Sequence, residues 1–421
     1  MKILVLAYQL SPTKGSEFSV AWNYVMRMSQ YNSLTVLYGV SGNNMGDCDE
    51  MNDWLENNRL NNVKFVQISP DKICTALNFF NVHNMFRYSF YVAYRRWQKL
   101  AYKKAKNLIE AEKYDLIHYL GPIGYREPGF LWKLNLPYMW GPIGGTINYS
   151  LKLLEYRSIG VYLKFYFRTF INKLQLSCNK RIHLALRRCD KLLTATTFDQ
   201  SSFKRIVGVD SVYMPENGIL GEITLNEDKF NDVKTYRLVT IGRLDAGKNI
   251  GLLLDSLSHV KNTNWSLDVF GDGPLMSYLK SKAQILKLSD KVIFHGNVSR
   301  RDIYNFMDIA HLNCITSIGE GNPTVIFEAM SYGVPTISFD HCGMHDTILP
   351  ECGIKLPIKS YKEAVDDLSN CIDSLLSKPE QFRILAKGTI NRAKTYLFDK
   401  REFIFNQCYK EAILHYKSVN S

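Results

Sequence analysis

The stretch from Ser317 to Gly333, SIGEGNPTVIFEAMSYG, places Glu320 and Glu328 on either side of a Gly-Asn-Pro turn. Pro323 suits the first turn of a helix, where its missing N–H costs nothing, so a helix is predicted over residues 323–332. Glu320 then lies in the preceding loop and Glu328 on the second helical turn. At about 1.5 Å rise per residue, the two carboxylates can hold two parts of one elongated ligand.

The start of this helix is a candidate phosphate site. Backbone N–H groups near Asn322 and Thr324 face a ligand with the positive end of the helix dipole. The spacing E-x7-E alone is equally typical of an amphipathic helix with two solvated glutamates. The interpretation as a ligand site therefore depends on the other motifs of the chain.

Composition indicates a soluble globular protein of 421 residues, with 46% hydrophobic and 22% charged residues. This length predicts two or three domains. The opening run Met1–Ala7 is too short for a signal peptide and is interpreted as a buried strand. Nine cysteines without a C-x-x-C pair argue against a disulfide framework and a zinc site. No apolar run is long enough to span a membrane, and cytoplasm is the expected compartment.

The net charge of +12 lies entirely in the first half of the chain. Residues 1–200 hold 26 Lys and Arg against 14 Asp and Glu, whereas residues 201–421 hold 26 of each. Such an imbalance favours a surface that meets an anionic partner. Anionic lipid, nucleic acid and acidic glycan remain open at this point.

Two segments combine basic and aromatic residues at helical spacing. Residues 86–107 contain seven basic and seven aromatic residues and no acid. The predicted stripe there comprises Arg95, Lys99, Lys103 and Lys106 beside Phe90, Tyr94, Trp97 and Ala101. The second segment, 151–181, has Tyr156, Tyr162, Phe165, Tyr166, Phe167 and Phe170 among Lys152, Lys164, Arg168 and Lys173. The pattern is typical of interfacial membrane helices, and equally of core helices with solvated basic faces. No nucleic-acid motif accompanies it.

Strand and helix patterns alternate along the whole chain, which predicts parallel sheets with right-handed crossovers. The loop after the first strand carries Gly15, where the backbone can approach a ligand, and Ser16 or Glu17 can cap the next helix. Asp47-Cys48-Asp49 lies in a polar loop, and no metal site is predicted there. Met214 to Gly218 is the expected crossing between domains. The predicted domains are 1–215 and 216–396, with a final helix in 397–421 that packs back on the first.

Glycine-rich loops follow three strands of the second half. Gly242-Arg243-Leu-Asp-Ala-Gly-Lys248 places two cations beside a helix start, where they can hold a phosphate. Gly271-Asp-Gly273-Pro is a tight turn. His295-Gly-Asn-Val298 follows the next strand and can present backbone groups to a base edge.

The order G-R…K, G-D-G-P, G-x-V, E-x7-E over residues 230–340 resembles retaining glycosyltransferase family 4, also described as glycosyl transferases group 1. The resemblance implies the GT-B fold, in which two Rossmann-like domains with parallel sheets face a central cleft. It implies that these loops bind the diphosphate, the sugar nucleotide and the nucleobase. Glu320 would hold sugar hydroxyls and Glu328 the ribose hydroxyls.

The amino half resembles the same family more loosely. Gly15 matches its acceptor-side loop, and Asp115-Leu-Ile-His118 with the WGPxGG loop at Trp140–Gly145 resembles a subgroup. The resemblance makes His118 a catalytic candidate. Many relatives carry a further histidine or acid where this chain has Leu120 and Gly121.

The resemblance predicts a retaining transfer of a hexose-type sugar from a UDP- or GDP-linked donor, with no metal cofactor. The expected acceptor is a glycan or lipid-linked glycan in bacterial surface-polysaccharide biosynthesis. An anionic membrane surface is the further expected partner, nucleic acid is not, and the expected location is the inner face of the plasma membrane. The alternatives are a sugar-nucleotide 2-epimerase of the same fold, a sugar phosphorylase, and a non-enzymatic membrane or nucleic-acid adaptor.

Overall fold

The computed structural model describes residues 1–15, 17–83, 85–86, 88–155 and 159–420. The chain divides into two compact units. The first unit contains residues 1–146, 173–216 and 398–421, and the second contains residues 147–172 and 217–397. The predicted division at residue 215 placed the segment 147–172 in the first domain, whereas in the structure this segment packs with the second unit.

The first unit is built on a parallel sheet of seven strands in the order β3-β2-β1-β4-β5-β6-β7. The strands are β1 (Lys2–Ala7), β2 (Ser33–Tyr38), β3 (Val63–Gln67), β4 (Leu116–Gly121), β5 (Tyr138–Ile143), β6 (Lys191–Thr194) and β7 (Val212–Tyr213). Continuous apolar runs such as KILVLA bury both faces under helices, as parallel strands require. The two-residue strand β7 pairs with β6 and forms one edge of this sheet.

The second unit has a parallel sheet of six strands in the order β10-β9-β8-β11-β12-β13. The strands are β8 (Tyr236–Ile241), β9 (Trp265–Phe270), β10 (Val292–Gly296), β11 (Leu312–Ile315), β12 (Thr336–Phe339) and β13 (Gly353–Leu356). Two apolar clusters cover its two faces. The predicted fold class of two Rossmann-like α/β domains with parallel sheets is therefore confirmed.

Helices connect the strands as crossovers. They are α1 (Glu17–Met28), α2 (Asp49–Asn57), α3 (Lys72–Val82), α4 (Ser89–Ala111), α5 (Ile159–Cys178), α6 (Lys180–Arg187), α7 (Thr197–Val207), α8 (Ile250–Ser258), α9 (Met276–Ile285), α10 (Arg300–Met307), α11 (Thr324–Ser331), α12 (Cys342–Thr347), α13 (Tyr361–Leu376), α14 (Pro379–Ala393) and α15 (Phe398–Asn420). Within the described ranges, none of these helices is long and apolar enough to cross a membrane.

The aromatic side of α4 is a core face. Tyr94, Trp97 and Ala101 are buried in the first unit, and the Trp97 Nε1 donates to the carbonyl of Ile68 at 2.8 Å. The interpretation of Tyr94, Trp97 and Ala101 as part of an interfacial membrane surface is therefore wrong, and the alternative of a core-packed helix applies to them. The exposed apolar side chains of this region are instead grouped where α4 begins. They are Met85, Phe86, Tyr88, Tyr91 and Val92.

Helix α15 packs within the first unit, where His118 connects it to the sheet. The His118 Nε2 donates to the carbonyl of Gly141 at 2.7 Å, so Nδ1 can only accept a hydrogen bond, and the hydroxyl oxygens of Tyr24 and Tyr409 each lie 3.1 Å from it. Tyr24 belongs to α1 and Tyr409 to α15, and their hydroxyls are hydrogen-bonded to each other. His118 is completely buried, which lowers its pKa to about 4, while the bond to Gly141 opposes this shift.

This environment corrects the catalytic assignment of His118. Both ring nitrogens have protein partners, and no part of the side chain is accessible to a substrate. A histidine of this kind joins two helices to a strand. We therefore assign His118 a structural role in the first unit.

The lowered pKa of His118 predicts a specific loss of stability in acid. The unfolded chain binds a proton with a pKa near 6.5 and the folded chain only near 4, so stability falls as the pH drops through this window. His118→Gln removes this titration, and its first unit should lose ~2–3 kcal/mol less than wild type between pH 7 and pH 4. Hydrogen exchange of the β4 amides across this pH range measures the difference.

The exposed His259 of the second unit provides the control. His259→Gln should leave the pH profile of the β4 amides unchanged. Identical profiles for wild type and His118→Gln would show that His118 does not titrate as its burial predicts.

Candidate active site

The candidate site lies where the strand order of the second sheet reverses direction. From β8 the chain proceeds outward through β9 and β10, and it then returns to the other side of β8 with β11. The crossovers after β8 and β11 leave in opposite directions at this point, which is where open α/β sheets bind ligands. The loops after these two strands are residues 242–248 and 316–323.

The two loops meet through an ion pair between Lys248 and Glu320. The side chains are 22% and 25% exposed, so the pair is shielded but reachable from solvent. Ser317 Oγ donates to the second oxygen of Glu320 at 2.9 Å. Asp245 accepts from the backbone N–H of Lys248 at 3.2 Å and so fixes the loop that carries the lysine. The structure thus brings together two of the residues that the sequence analysis selected.

Glycines allow the loops to pack this closely. Gly242 has φ +147°, and a Cβ there would lie 2.7 Å from Cε of Lys248. Gly271 has φ +119°, and its Cβ would lie 2.1 Å from the carbonyl oxygen of Gly242. A Cβ on Gly273 would lie 2.5 Å from the carbonyl oxygen of Leu244. Gly271 and Gly273 therefore allow the loop after β9 to pack against residues 242–248, in addition to any ligand contact.

A cavity of about 450 Å³ opens at the ends of β8, β9 and β10. Arg243, Gly271 and Val298 line it together with Asp272 and Asn297. The Arg243 side chain is 71% exposed, and its Nε lies 3.7 Å from Asp245. Ile241 lines both this cavity and a smaller one that contains Lys248 and Glu320. The two cavities therefore lie next to each other at this edge of the sheet.

Glu328 lies on α11, as predicted, with a side chain that is 15% exposed. Burial raises the pKa of its carboxyl, and the Arg300 guanidinium, 3.3 Å away, opposes this rise. Arg300 begins α10, and the sequence analysis did not identify it. Its distance of 28 residues from Glu328 in the chain gave no signal of the pairing.

Helix α11 begins at Thr324, with Pro323 at its N-cap rather than inside the first turn. The N–H groups of its first turn have no partners within the helix itself and face outward from its N-terminus. Asn322 is buried, and its carbonyl accepts from Asn217 at 2.8 Å, which fixes the chain just before the helix. The expected phosphate site at this helix start is thus held in place by side-chain contacts.

Two further residues support the loop of Glu320 and were missed from the sequence. His341 Nε2 donates to the carbonyl of Ser317 at 2.9 Å, and burial lowers the pKa of this histidine. The ring of Tyr149 lies against Gly319, where a Cβ would approach it to 2.9 Å. Tyr149 lies 170 residues earlier in the chain, so only the fold brings it to this loop.

The corresponding edge of the first sheet carries the predicted acceptor loop. Gly15 is exposed between β1 and α1, and Ser16 lies outside the described residues. Glu17 opens α1; burial raises the pKa of its carboxyl, and a hydrogen bond from the backbone of Ile123 opposes this. Glu17 was considered only as a helix cap, although a half-buried carboxyl at this edge is also a candidate for binding hydroxyl groups.

No cluster of three or more His, Cys, Asp and Glu side chains suited to a metal ion occurs among the residues that the structure describes. The Asp47-Cys48-Asp49 loop is no exception: Asp47 instead accepts from the backbone N–H of Asn43 at 2.8 Å.

Comparison with known proteins agrees with the geometry of the second unit. Residues 223–394 match the family model described as Glycosyl transferases group 1. This match confirms the resemblance found in the loops between 230 and 340.

Two curated relatives illustrate the similarity. A glycosyltransferase of Haemophilus influenzae is 25% identical over 227 residues, covering 52% of this chain and 60% of that protein. The lipopolysaccharide 1,6-galactosyltransferase of Escherichia coli is 31% identical over 127 residues, covering 28% of this chain and 34% of that protein. The matched regions thus span less than two thirds of either relative.

The fold is shared over nearly the whole length of a solved structure. Anabaena HepE in complex with UDP superposes with a TM-score of 0.64, covering 97% of this chain and 99% of that one, at 15% identity. At this identity the likeness establishes the fold alone. It agrees with the fold class of two Rossmann-like domains that the sequence predicted.

The packing of these glycines predicts that alanine substitutions at different glycines of the second unit change its stability by different amounts. Gly271→Ala should destabilise this unit by ~1–3 kcal/mol, because its positive φ is strained for alanine and the Cβ overlaps a carbonyl oxygen. Urea unfolding of the full chain, followed by hydrogen exchange at β8 and β9, measures the loss.

Gly221→Ala is the matched control, since a Cβ there meets no atom within 4 Å. It should change stability by less than ~0.5 kcal/mol. Equal stability of the two variants would contradict the packing explanation.

Proposed function

We propose that the protein is a retaining glycosyltransferase that moves a sugar from a nucleoside diphosphate to a hydroxyl group of a glycan acceptor. The observation that carries this proposal is the pairing of Lys248 with Glu320 at the reversal of strand order in the second unit. Arg243 and Glu328 lie at the same edge of the sheet, and both the matched family and the named relatives are glycosyltransferases.

The cations of the site match the charge that the reaction develops. Breaking the bond between sugar and phosphate places negative charge on the leaving diphosphate. Arg243 and Lys248 would stabilise this charge, together with the first turn of α11, because groups fixed before the reaction need no reorganisation during it. These groups can supply the role of a metal ion, so we propose a metal-independent reaction.

Lys248 has a partner before a ligand arrives, and this matters for the mechanism. Glu320 holds the ammonium group close to the loop of β11. When the carboxylate turns to the hydroxyl groups of a bound sugar, the lysine is released toward the diphosphate. Donor binding would thus convert an internal ion pair into two ligand contacts.

Glu328 and Arg300 would act on the ribose of the donor. A buried carboxylate accepts hydrogen bonds from two adjacent hydroxyl groups and rejects a ligand that leaves it unpaired. Val298 and the cavity beside it would receive the nucleobase, for which uracil and guanine both remain candidates. We assign no protein base, since in the front-face mechanism proposed for family 4 the leaving phosphate accepts the acceptor's proton.

The acceptor is proposed to be lipid-linked or part of a lipopolysaccharide core. The excess of Lys and Arg in residues 1–200 and the exposed apolar groups near the start of α4 support an acceptor held at an anionic membrane. The reaction would then occur at the inner face of the plasma membrane. Neither nucleic acid nor a further cofactor has a part in this proposal.

The comparisons give no support to the alternative of a sugar-nucleotide 2-epimerase, because the matched model and the named relatives are glycosyltransferases. The non-catalytic adaptor differs from the enzyme in one measurable respect, which is turnover of a donor.

A screen of nucleotide sugars in EDTA tests the proposal. One donor should raise the melting temperature by mass action and release its UDP or GDP, with or without added lipid extract. Release in EDTA would identify base and sugar together and show a metal-independent transferase. Stabilisation without release would require an added acceptor, and no response to any donor would favour the adaptor.

The two glutamates should fail in different ways. Glu320→Ala should lower kcat by about 100-fold because the sugar loses its orientation. Glu328→Ala should instead weaken nucleotide binding by about 10- to 100-fold, the value of hydrogen bonds to a charged group. Steady-state kinetics and calorimetric titration of UDP and GDP separate the effects.

The exposed Glu222 supplies the control, and Glu222→Ala should resemble wild type in both measurements. Wild-type kcat and affinity in the two site variants would remove the assignment of both carboxylates.

A further inference from the structure

Helix α5 buries unusually little of its surface for so apolar a sequence. Phe165, Asn172 and Leu176 form a narrow buried stripe along one side. The rest of the helix is largely apolar and exposed; Phe167, for example, is 57% and Phe170 53% exposed. The exposed apolar set comprises Ile159, Tyr162, Leu163, Tyr166, Phe167, Phe170, Ile171 and Leu174. At 3.6 residues per turn, these side chains cover roughly half of the circumference, opposite the buried stripe.

Charges border this apolar face on both sides. Lys173 lies at one margin and Lys164 and Arg168 at the other, and all three side chains are exposed. The helix contains no acidic residue. An apolar face between basic margins is typical of helices that lie in the interface of an anionic bilayer, where the long basic side chains reach the headgroups. Tyr156, which the sequence analysis assigned to this segment, lies outside the described residues.

The segment 147–172, which contains the first two thirds of α5, also packs against the loops that carry Lys248 and Glu320. Ser150 N–H donates to the carbonyl of Ile318 at 2.7 Å, and Asn249 donates to the carbonyl of Leu153 at 2.7 Å. Tyr149 packs against Gly319, next to Glu320. Phe165 lies beside Gly247, next to Lys248.

Side chains of α5 connect its exposed face with these contacts. The rings of Phe165 and Tyr149 are 4.7 Å apart, and the Arg168 guanidinium lies 5.2 Å from the centre of the Tyr149 ring. Arg168 thus belongs both to the basic margin and to the contact with the Glu320 loop. A headgroup that binds Arg168 would act directly on the residue that packs against Gly319.

The start of the segment is held firmly to the second unit. Glu155 accepts from Tyr278 at 2.6 Å and pairs with the buried Lys282 at 3.1 Å, which also pairs with Asp255 at 2.6 Å. The start of the segment is thus anchored, and a restraint applied to α5 reaches the donor loops, residues 242–248 and 316–323, through Phe165 and Tyr149.

We propose that the exposed face of α5 docks on an anionic phospholipid bilayer and that this docking orders the loops carrying Lys248 and Glu320. The inference rests on the proposed function, because it makes the membrane that holds the acceptor a partner of the donor site. A loop that is already ordered loses less conformational entropy when a ligand binds. Nucleoside diphosphate should therefore bind more tightly to the docked protein, by about fivefold or more.

The test uses the full chain and vesicles of phosphatidylcholine with or without phosphatidylglycerol. Wild type should sediment with the vesicles that contain phosphatidylglycerol and should not sediment with vesicles of phosphatidylcholine only. Docking should slow hydrogen exchange in residues 147–155, 242–248 and 317–322. These two readouts need no donor, so they remain informative if no nucleotide sugar is turned over. Titration of UDP and GDP with and without vesicles measures the gain in affinity.

Two variants distinguish membrane docking by α5 from the effect of docking on the loops that carry Lys248 and Glu320. Phe167→Ser with Phe170→Ser should abolish sedimentation while basal donor turnover stays unchanged. Tyr149→Ala should sediment as wild type does, but the exchange of residues 317–322 should no longer respond to vesicles. Ile285→Ser with Ile384→Ser is the control, since both side chains are exposed apolar groups elsewhere in the second unit.

Each failure has its own meaning. Sedimentation that persists in the Phe167 and Phe170 variant, or is absent in wild type, overturns α5 as the docking surface. If wild type docks but hydrogen exchange in residues 242–248 and 317–322 does not change, the proposal that docking orders these loops is overturned. A failed donor screen with intact docking and exchange would instead reject the proposed enzymatic function.

Discussion

The reversal of strand order beside β8 is the constraint on which the candidate site depends. Parallel strands need crossover helices, and all their carboxyl ends lie at one edge of the sheet. Between β8 and β11 the crossovers leave in opposite directions, so the loops after these two strands face each other. The Lys248–Glu320 pair closes this gap, and it can exist only because the fold places the two strands side by side.

The site is compact because glycines remove side chains where the loops meet. Gly242, Gly271 and Gly273 stand within a few ångströms of Lys248 or of neighbouring carbonyl groups. The same glycines that resembled a ligand-binding pattern in the sequence therefore have a demonstrable structural role. A glycine motif alone does not distinguish packing from ligand contact, and the exposed Arg243 and the cavity beside Val298 are the better indicators of a ligand.

The sequence predicted the architecture well because buried parallel strands have an unmistakable pattern. The opening apolar run was correctly interpreted as a buried strand, the glycine loops from Gly242 and Gly271 do follow strands, and a helix does follow Pro323. The aromatic residues of α4 were misassigned because a helix packed on a core and one lying on a membrane share the same period.

Long-range partners were beyond the sequence altogether. The interpretation of His118 failed because Tyr24 and Tyr409, which occupy its Nδ1, are 94 and 291 residues away. Arg300 beside Glu328 was missed for the same reason. His118 and Glu328 were both noted from the sequence, but the chemistry of each is decided by a neighbour that only the fold supplies. A titratable residue in a strand is thus weaker evidence for catalysis than one in a loop at the strand's carboxyl end.

The segment 147–172 shows how chain order and spatial order differ in this protein. It follows strands of the first unit, yet its contacts are with the loops after β8 and β11 of the second. Only a narrow stripe of helix α5 is buried, and most of its apolar residues are exposed. A purely structural brace would be expected to have a polar outer face, since exposed apolar area of this extent commonly marks an interaction surface. The segment combines an exposed apolar face with direct contacts to Gly319 and Gly247. This combination favours an interaction surface whose binding partner changes the order of the loops that carry Lys248 and Glu320.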